Sequence, residues 1–321
     1  MNIKYIFVVL GEPYSTFSEI IGKYFKKKKT YKKKIILVGN ISLLKKQLSK
    51  LKIIFPINKI ENYKKAKKNI VNIIDVKFKH DHIFSNISSR SNNYIEESFK
   101  ITLGIIKKIK NKAVLINGPI SKKSFLNKKY LGITEYLSKK TKSKNEVMLI
   151  YNESLSVTPL TTHIPLKYVN KNITQNKIKE NVLRINEFYN KKLKKKIKLA
   201  ILGLNPHCET IDKFSEEEKI IKPSIRYLKS KGINIDGPYS ADTFFFEKNI
   251  RKYDVVIGMY HDQVLTAIKM LYKFDAINIT LGLPFIRISP DHGPNSIMIG
   301  KNRSDPSSFI YSMRFIEKYI K

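Results

Sequence analysis

The sequence predicts an α/β protein built on mainly parallel sheet, and three observations carry that prediction. Short apolar runs alternate with longer amphipathic stretches, the pattern of strands joined by crossover helices. Several of the apolar runs stop at polar segments rich in glycine, proline, asparagine and histidine, as strands do where their carboxyl ends open onto a ligand crevice. The chain has 321 residues and is 42% hydrophobic, which suits one large α/β unit or two lobes with packed interiors.

Taken in order, residues 5–10 read as a buried first strand, because the apolar run from Ile6 to Leu10 is short and leads into Gly11. It lacks the length and the small-residue cleavage site of a signal peptide. Further strands are predicted over 34–38, 113–117, 146–150, 156–160, 198–202, 255–259 and 276–280. Helical patterns fall near 94–110, 175–193, 216–230 and 306–319. The third is well marked: Ser215 with Glu218 three residues on makes a capping box, and Gly232 is the stop. No apolar run approaches the roughly 20 residues of a membrane-spanning helix. The single Cys208 rules out an internal disulfide and fits a reducing, cytoplasmic setting.

The net charge of +36 by itself points to a nucleic-acid partner, since clustered cations collect phosphates by counterion release. The excess is nearly all lysine, however, and it travels with abundant isoleucine and asparagine. These three share A/T-rich codons, so mutational bias accounts for the composition equally well. The lysine runs at 26–29, 32–34 and 194–196 read as helix ends and turns. No basic helix with interleaved aromatics and no RNA-binding signature is present. A solvated lysine-rich face is the expectation, and nucleic acid is not.

Four predicted strands end in Asn117-Gly118-Pro119, Thr161-Thr162-His163, Asn205-Pro206-His207 and Tyr260-His261-Asp262-Gln263. Three neutral imidazoles from three loops, His163, His207 and His261, can hold Zn²⁺ or a similar divalent ion with a position open to substrate. Spacing alone favours three unrelated loop histidines that cap backbone groups. His80 and His82, in a polar stretch without a flanking strand, are expected at the surface. Lys269, Asn278 and Arg287 offer a point charge, an amide and a guanidinium fork, a set suited to phosphate or carboxylate. Arg287 stands out because arginine is rare in this lysine-biased chain, although a surface salt bridge would also explain it. Asp242, after Gly237-Pro238 and before the aromatic run Phe244 to Phe246, can cap a helix or face a metal-bound substrate.

These segments carry a resemblance. Thr161-Thr162-His163-Ile164-Pro165-Leu166, Gly203-Leu204-Asn205-Pro206-His207, Gly237-Pro238 with Ala241-Asp242-Thr243, Tyr260-His261-Asp262-Gln263, and Ile279 through Arg287 resemble the signature blocks of the 4-hydroxythreonine-4-phosphate dehydrogenase family. Asn117-Gly118-Pro119-Ile120 with Lys122, Thr134-Glu135-Tyr136-Leu137, and Asp291-His292-Gly293 extend it, in the family's order, from about residue 90 to 310.

The resemblance implies a two-lobed α/β/α fold similar to isocitrate and isopropylmalate dehydrogenases, dimerising through one lobe. The motifs would place the first lobe at 1–132 plus 295–321 and the second, with the metal and substrate motifs, at 133–294. It implies NAD or NADP bound without a Rossmann glycine fingerprint, and no G-x-G-x-x-G occurs here. It implies a divalent metal on His163, His207 and His261, zinc first with magnesium or cobalt as alternatives, at a site shared across a homodimer interface. Thr134, Lys269, Asn278 and Arg287 correspond to substrate contacts. Lys269 and Asp242 are the catalytic candidates, Asp242 either orienting a metal ligand or relaying a proton. The implied activity is oxidation and decarboxylation of 4-phosphooxy-L-threonine to 3-amino-2-oxopropyl phosphate, in pyridoxine 5'-phosphate synthesis.

The chain departs from the family pattern in four places. The N-terminal block, in the family Gly-Asp-Pro-x-Gly-Ile-Gly-Pro-Glu, is here Gly11-Glu12-Pro13-Tyr14-Ser15-Thr16-Phe17-Ser18-Glu19. Ile133 stands where the family has a substrate-contacting histidine. Cys208 through Ser215 replaces a glycine-rich stretch, and Val264 replaces a glycine. Two further readings follow: a sibling enzyme for another phosphorylated hydroxy acid, favoured by Ile133, or a non-catalytic remnant that binds polyanions.

Overall fold

The computed structural model describes residues 3–126, 130, 132–208, 215–273, 275–290 and 293–320. Its elements run β1 (Tyr5–Val9), α1 (Phe17–Lys27), β2 (Lys34–Gly39), α2 (Ile41–Lys50), β3 (Ile57–Ile60), β4 (Val71–Asp75), α3 (Asn92–Ile109), β5 (Ala113–Asn117) and α4 (Ile133–Thr141). There follow β6 (Val147–Tyr151), β7 (Ser156–Thr161), α5 (Gln175–Phe188), β8 (Leu199–Leu202), α6 (Lys222–Ser230), β9 (Ile235–Tyr239), α7 (Ala241–Phe244), α8 (Glu247–Ile250), β10 (Val255–Tyr260), α9 (His261–Tyr272) and β11 (Ile277–Leu281). The chain closes with β12 (Ile286–Pro290) and α10 (Ser307–Tyr319). Contacts divide it into two units, Met1–Thr141 with Leu283–Lys321, and Lys142–Gly282.

In the first unit the strand order is β3-β4-β2-β1-β5-β12, and every pair is parallel. Such a sheet is buried on both faces, and β1 shows it: Phe7 and Val9 point one way, Ile6 and Val8 the other, and all four are buried. Phe7 and Val9 join a core with Phe99 of α3 and with Tyr136 and Leu137 of α4. Phe309 of α10 meets Phe17, Tyr24 and Phe25 of α1 edge-on. The strand order reverses between β1 and β5, so ligand chemistry is expected at their carboxyl ends. There Gly11 turns at φ +71°, and a Cβ on it would lie 2.5 Å from the Pro119 carbonyl oxygen. Only glycine permits that approach.

The sequence-derived lobe boundaries shift accordingly. The apolar side of α4 belongs to the first core, and β12 pairs with β5. The break therefore falls after Thr141 and before Leu283, not at 132/133 and 294/295. Thr134 and Arg287, expected in the second lobe, are in the first unit.

In the second unit the order is β11-β6-β7-β10-β8-β9. β6 is antiparallel to both neighbours, while β7, β10, β8 and β9 are parallel. β10 sits between β7 and β8 although it follows both in sequence, with Tyr260 opposite Thr161 and Ile257 opposite Ile201. Val157, Ala200, Leu202, Val256, Val264 and Ile268 form part of this unit's core. The amide half of the predicted capping box forms at the helical turn Glu217–Ile221 that leads into α6: the Glu218 amide donates to Ser215 Oγ at 3.4 Å, and Gly232 takes φ +76° beyond the helix.

Candidate active site

The three histidines follow three adjacent strands at the same edge of the second unit's sheet. His163 lies two residues beyond β7, His207 is in the turn Pro206–Cys208 beyond β8, and His261 opens α9 directly after β10. The rings of His163 and His261 approach with centroids 5.7 Å apart. His261 Nδ1 is 2.7 Å from Asp262 Oδ1, and a carboxylate there makes Nδ1 the donor and leaves the Nε2 lone pair outward. His207 turns instead to Asp242, with Nδ1 3.7 Å from Oδ2, both side chains more than half exposed. Among the described residues no group of three His, Cys, Asp or Glu side chains converges closely enough to hold an ion.

Asp242 does not cap α7. Ser240 occupies that position, and its hydroxyl donates to Asp242 Oδ1. That bond, with His207 nearby, holds the Asp242 carboxyl below the usual carboxylate value. His163 and His207 both adopt left-handed backbone, at φ +51° and +57°, as does Cys208. Non-glycine residues there cost roughly 1–3 kcal/mol each and persist where the surroundings over-determine them, commonly at functional sites.

Side chains of the motifs bind the strand ends together. Thr161 Oγ1 donates to the Met259 carbonyl at 2.7 Å. Gln263 Oε1 accepts from the Met259 amide at 2.7 Å, and its Nε2 donates to the Gly203 carbonyl at 2.8 Å. Glu217, absent from the predicted set, is fully buried next to the His207 turn. Burial pushes its carboxyl up, but hydrogen bonds from Asn205 and Leu204 bring it below the usual value. In sequence Glu217 is one of three consecutive glutamates, Glu216 to Glu218, and nothing local marks it for burial.

The anion-binding candidates fall into two pairs. In the first unit Arg287 is a fully buried residue of β12, so it makes no surface salt bridge. Its Nε donates to Asn117 Oδ1 at 2.8 Å and its Nη1 to Thr134 Oγ1 at 3.4 Å. Burial pushes the guanidinium down to about 10, against the opposing pull of Glu135, and it stays charged at neutral pH. Thr134, partly exposed, is the second residue of α4. In the second unit Lys269 lies in the last turn of α9, and burial lowers its ammonium below the ordinary lysine value. Asn278 of β11 has its Oδ1 buried without a hydrogen-bond partner among the described residues. His82 is exposed, as expected, while His80 is partly covered and stacks on Phe78.

Two of the departures from the family pattern are accommodated by neighbouring glycines. Phe17, at the site of a lost glycine, is buried, and a Cβ on Gly118 would lie 2.4 Å from its ring. Val264 is buried against Gly258, where a Cβ would lie 2.5 Å from Val264 Cγ1. Ile133 packs, partly buried, against the first unit's core. Residues 209–214 of the replaced glycine-rich stretch, and Asp291 and His292, lie outside the described residues.

The family model described as "Pyridoxal phosphate biosynthetic protein PdxA" matches residues 31–316. A 4-hydroxythreonine-4-phosphate dehydrogenase of Sulfurihydrogenibium sp. is 36% identical over 310 residues, covering 94% of each chain. The crystal structure of 4-hydroxythreonine-4-phosphate dehydrogenase from Klebsiella pneumoniae superimposes with a TM-score of 0.83 at 25% identity, covering 98% of both chains. Isocitrate dehydrogenase from Methylococcus capsulatus shares the fold more distantly, at TM-score 0.50 and 10% identity over 98% of this chain and 85% of its own. With the family model spanning nearly the whole chain and a near-full-length relative above 30% identity, this chain belongs to the PdxA family of pyridoxal phosphate biosynthetic proteins.

Proposed function

We propose that the chain oxidises 4-phosphooxy-L-threonine and decarboxylates the product to 3-amino-2-oxopropyl phosphate, in pyridoxine 5'-phosphate synthesis. The observation that carries this beyond family membership is the placement of His163, His207 and His261 at the carboxyl ends of three adjacent strands, with two rings already 5.7 Å apart. An all-imidazole donor set on separate loops fits zinc better than magnesium, and cobalt acceptably. When bound, NAD or NADP accepts the hydride and the divalent cation supplies Lewis acidity at the reacting carbinol.

The chain's own residues bind and orient. Thr134 Oγ1 accepts from Arg287, which leaves the threonine proton free to be donated to an anionic substrate oxygen. The buried Arg287 charge stands behind that contact. Lys269 opposes the phosphate charge, and its lowered ammonium value suits it to give and take a proton as the carboxyl group leaves. Asn278 presents its buried Oδ1 to a substrate donor such as the amino group. Asp242, turned toward His207, orients that ring.

A homodimer with the site at its interface is part of this reading. So is a cytoplasmic setting, and among the described residues no helix is long and apolar enough to cross a membrane.

Ile133 favours a second reading, a sibling enzyme for another phosphorylated hydroxy acid. Reduction of NAD⁺ with a panel of such acids, with and without a chelator, tests both. Chelator-sensitive turnover of 4-phosphooxy-L-threonine above the others supports the first, and preference for another acid supports the second. No turnover with any would leave the polyanion-binding remnant.

A further inference from the structure

We infer that Glu217 is a positioning residue for His207, and that Gln263 ties the turn Glu217 holds to the start of the helix bearing His261. The inference rests on the reading that the three histidines act at one site.

The turn needs an anchor. His207 and Cys208 are consecutive left-handed residues, and the Cys208 amide reaches back to the Asn205 carbonyl at 3.2 Å. Neither is glycine, so the conformation persists only where something outside the turn fixes it. Glu217 does so. Its Oε1 accepts from the amides of Leu204 and Asn205 at 2.7 and 2.9 Å, and its Oε2 accepts from Asn205 Nδ2 at 2.8 Å. Asn205 Nδ2 also donates to Glu216 Oε2 at 3.0 Å. An ionised acceptor in a buried place makes these bonds strong. A Cβ on Gly203 would lie 2.5 Å from Cys208 Sγ and 3.1 Å from Glu217 Oε1, so the glycine makes room chiefly for the Cys208 side chain and leaves the carboxylate its close approach.

The anchored turn is then joined to its neighbours. Gln263, two residues past His261, bridges the Met259 amide and the Gly203 carbonyl. Thr161, two residues before His163, donates to the Met259 carbonyl. One relay of side chain to backbone bonds therefore runs beneath all three histidines. Glu217 touches neither substrate nor metal in this arrangement. It acts through His207.

The test uses Glu217→Gln and Gln263→Met in the full chain, with His207→Ala alongside. Glutamine keeps the size of Glu217 but sets an amide donor against Asn205 Nδ2. Three readouts apply: amide exchange of residues 203–208, zinc affinity by competition with a chromophoric chelator, and kinetics on 4-phosphooxy-L-threonine. Both variants should loosen zinc severalfold, by less than the roughly 10–100-fold that follows loss of a group bonded directly to a metal ligand, because Glu217 and Gln263 bond to the backbone and Asn205 rather than to a histidine. They should quicken exchange in 203–208 and lower kcat while KM stays within about twofold, because Thr134, Lys269 and Asn278 are untouched. Wild-type zinc affinity and exchange in either folded variant would overturn the inference, as would a fall in thermal stability alone. If Glu217→Gln does not fold, Gln263→Met decides. Should His207→Ala keep wild-type zinc affinity, the three-histidine reading fails. Should it lose zinc while the other two variants do not, only the present inference fails.

Discussion

Arg287 Nη1 donates to Thr134 Oγ1 at 3.4 Å, across 153 residues of sequence. With Nε bonded to Asn117, the guanidinium fork connects β12, β5 and α4 from a fully buried position. Arg287→Lys keeps the charge and loses the fork, leaving Asn117 Oδ1 without its donor. A buried polar group so stranded costs roughly 1–3 kcal/mol. Urea denaturation should show that loss, and KM for the phosphorylated substrate should rise as Thr134 loses its support. A variant as stable as the parent would mean that the fork is not what holds these elements together.

His261 is the central histidine, because β10 lies between β7 and β8. His261→Ala should lose most bound divalent metal and nearly all turnover while remaining folded, by metal analysis of the purified protein, circular dichroism and activity. Stoichiometric metal with a normal rate would remove the three-histidine site.

Glu12 gives a pH-dependent prediction. It is 1% exposed, and burial raises its carboxyl above the ordinary 4.5 despite hydrogen bonds from Ser91 and the Tyr14 amide. The folded state thus holds the proton more tightly than the unfolded one. Its stabilising contribution is complete below 4.5 and is lost as pH rises through the folded value. Glu12→Gln removes that loss, so the variant should gain on the wild type in Tm between pH 4.5 and 7.5. The opposite trend would place Glu12 among the favourably ionised groups.

Much of this was legible in the chain, for identifiable reasons. β1, β2, β5 and β10 are buried on both faces, so each reads as a largely apolar run. β3 (Ile-Asn-Lys-Ile) and β9 (Ile-Asp-Gly-Pro-Tyr) are outermost strands with polar residues inside, and no periodicity marks them. The histidine motifs were visible, but the insertion of β10 between β7 and β8 is a non-local pairing that no local pattern encodes. Arg287 stands out in the chain for its rarity, whereas its burial depends on packing among β12, β5 and α4. Phe17 and Val264 read as losses of glycine. The space each fills lies over Gly118 and Gly258, distant or unmarked in sequence.

Ile133 offers the sharpest test of substrate. It packs against the core of the first unit, one residue before Thr134. Ile133→His would restore a hydrogen-bonding group worth roughly 1–3 kcal/mol where the partner is otherwise unpaired. That is about one to two decades in kcat/KM for 4-phosphooxy-L-threonine, with some stability lost from the apolar contact. A variant no better on that substrate, beside a wild type efficient on another phosphorylated acid, would transfer the assignment to the sibling activity.

In the proposed reaction, oxidation of 4-phosphooxy-L-threonine is coupled to its decarboxylation. The most direct measurement follows NADH or NADPH formation and CO₂ release together, on purified protein supplied with zinc. Equal yields of the two are expected, both abolished by a chelator and restored by added zinc. Reduced cofactor without CO₂, or neither product from protein shown to be folded and metal-loaded, would contradict it.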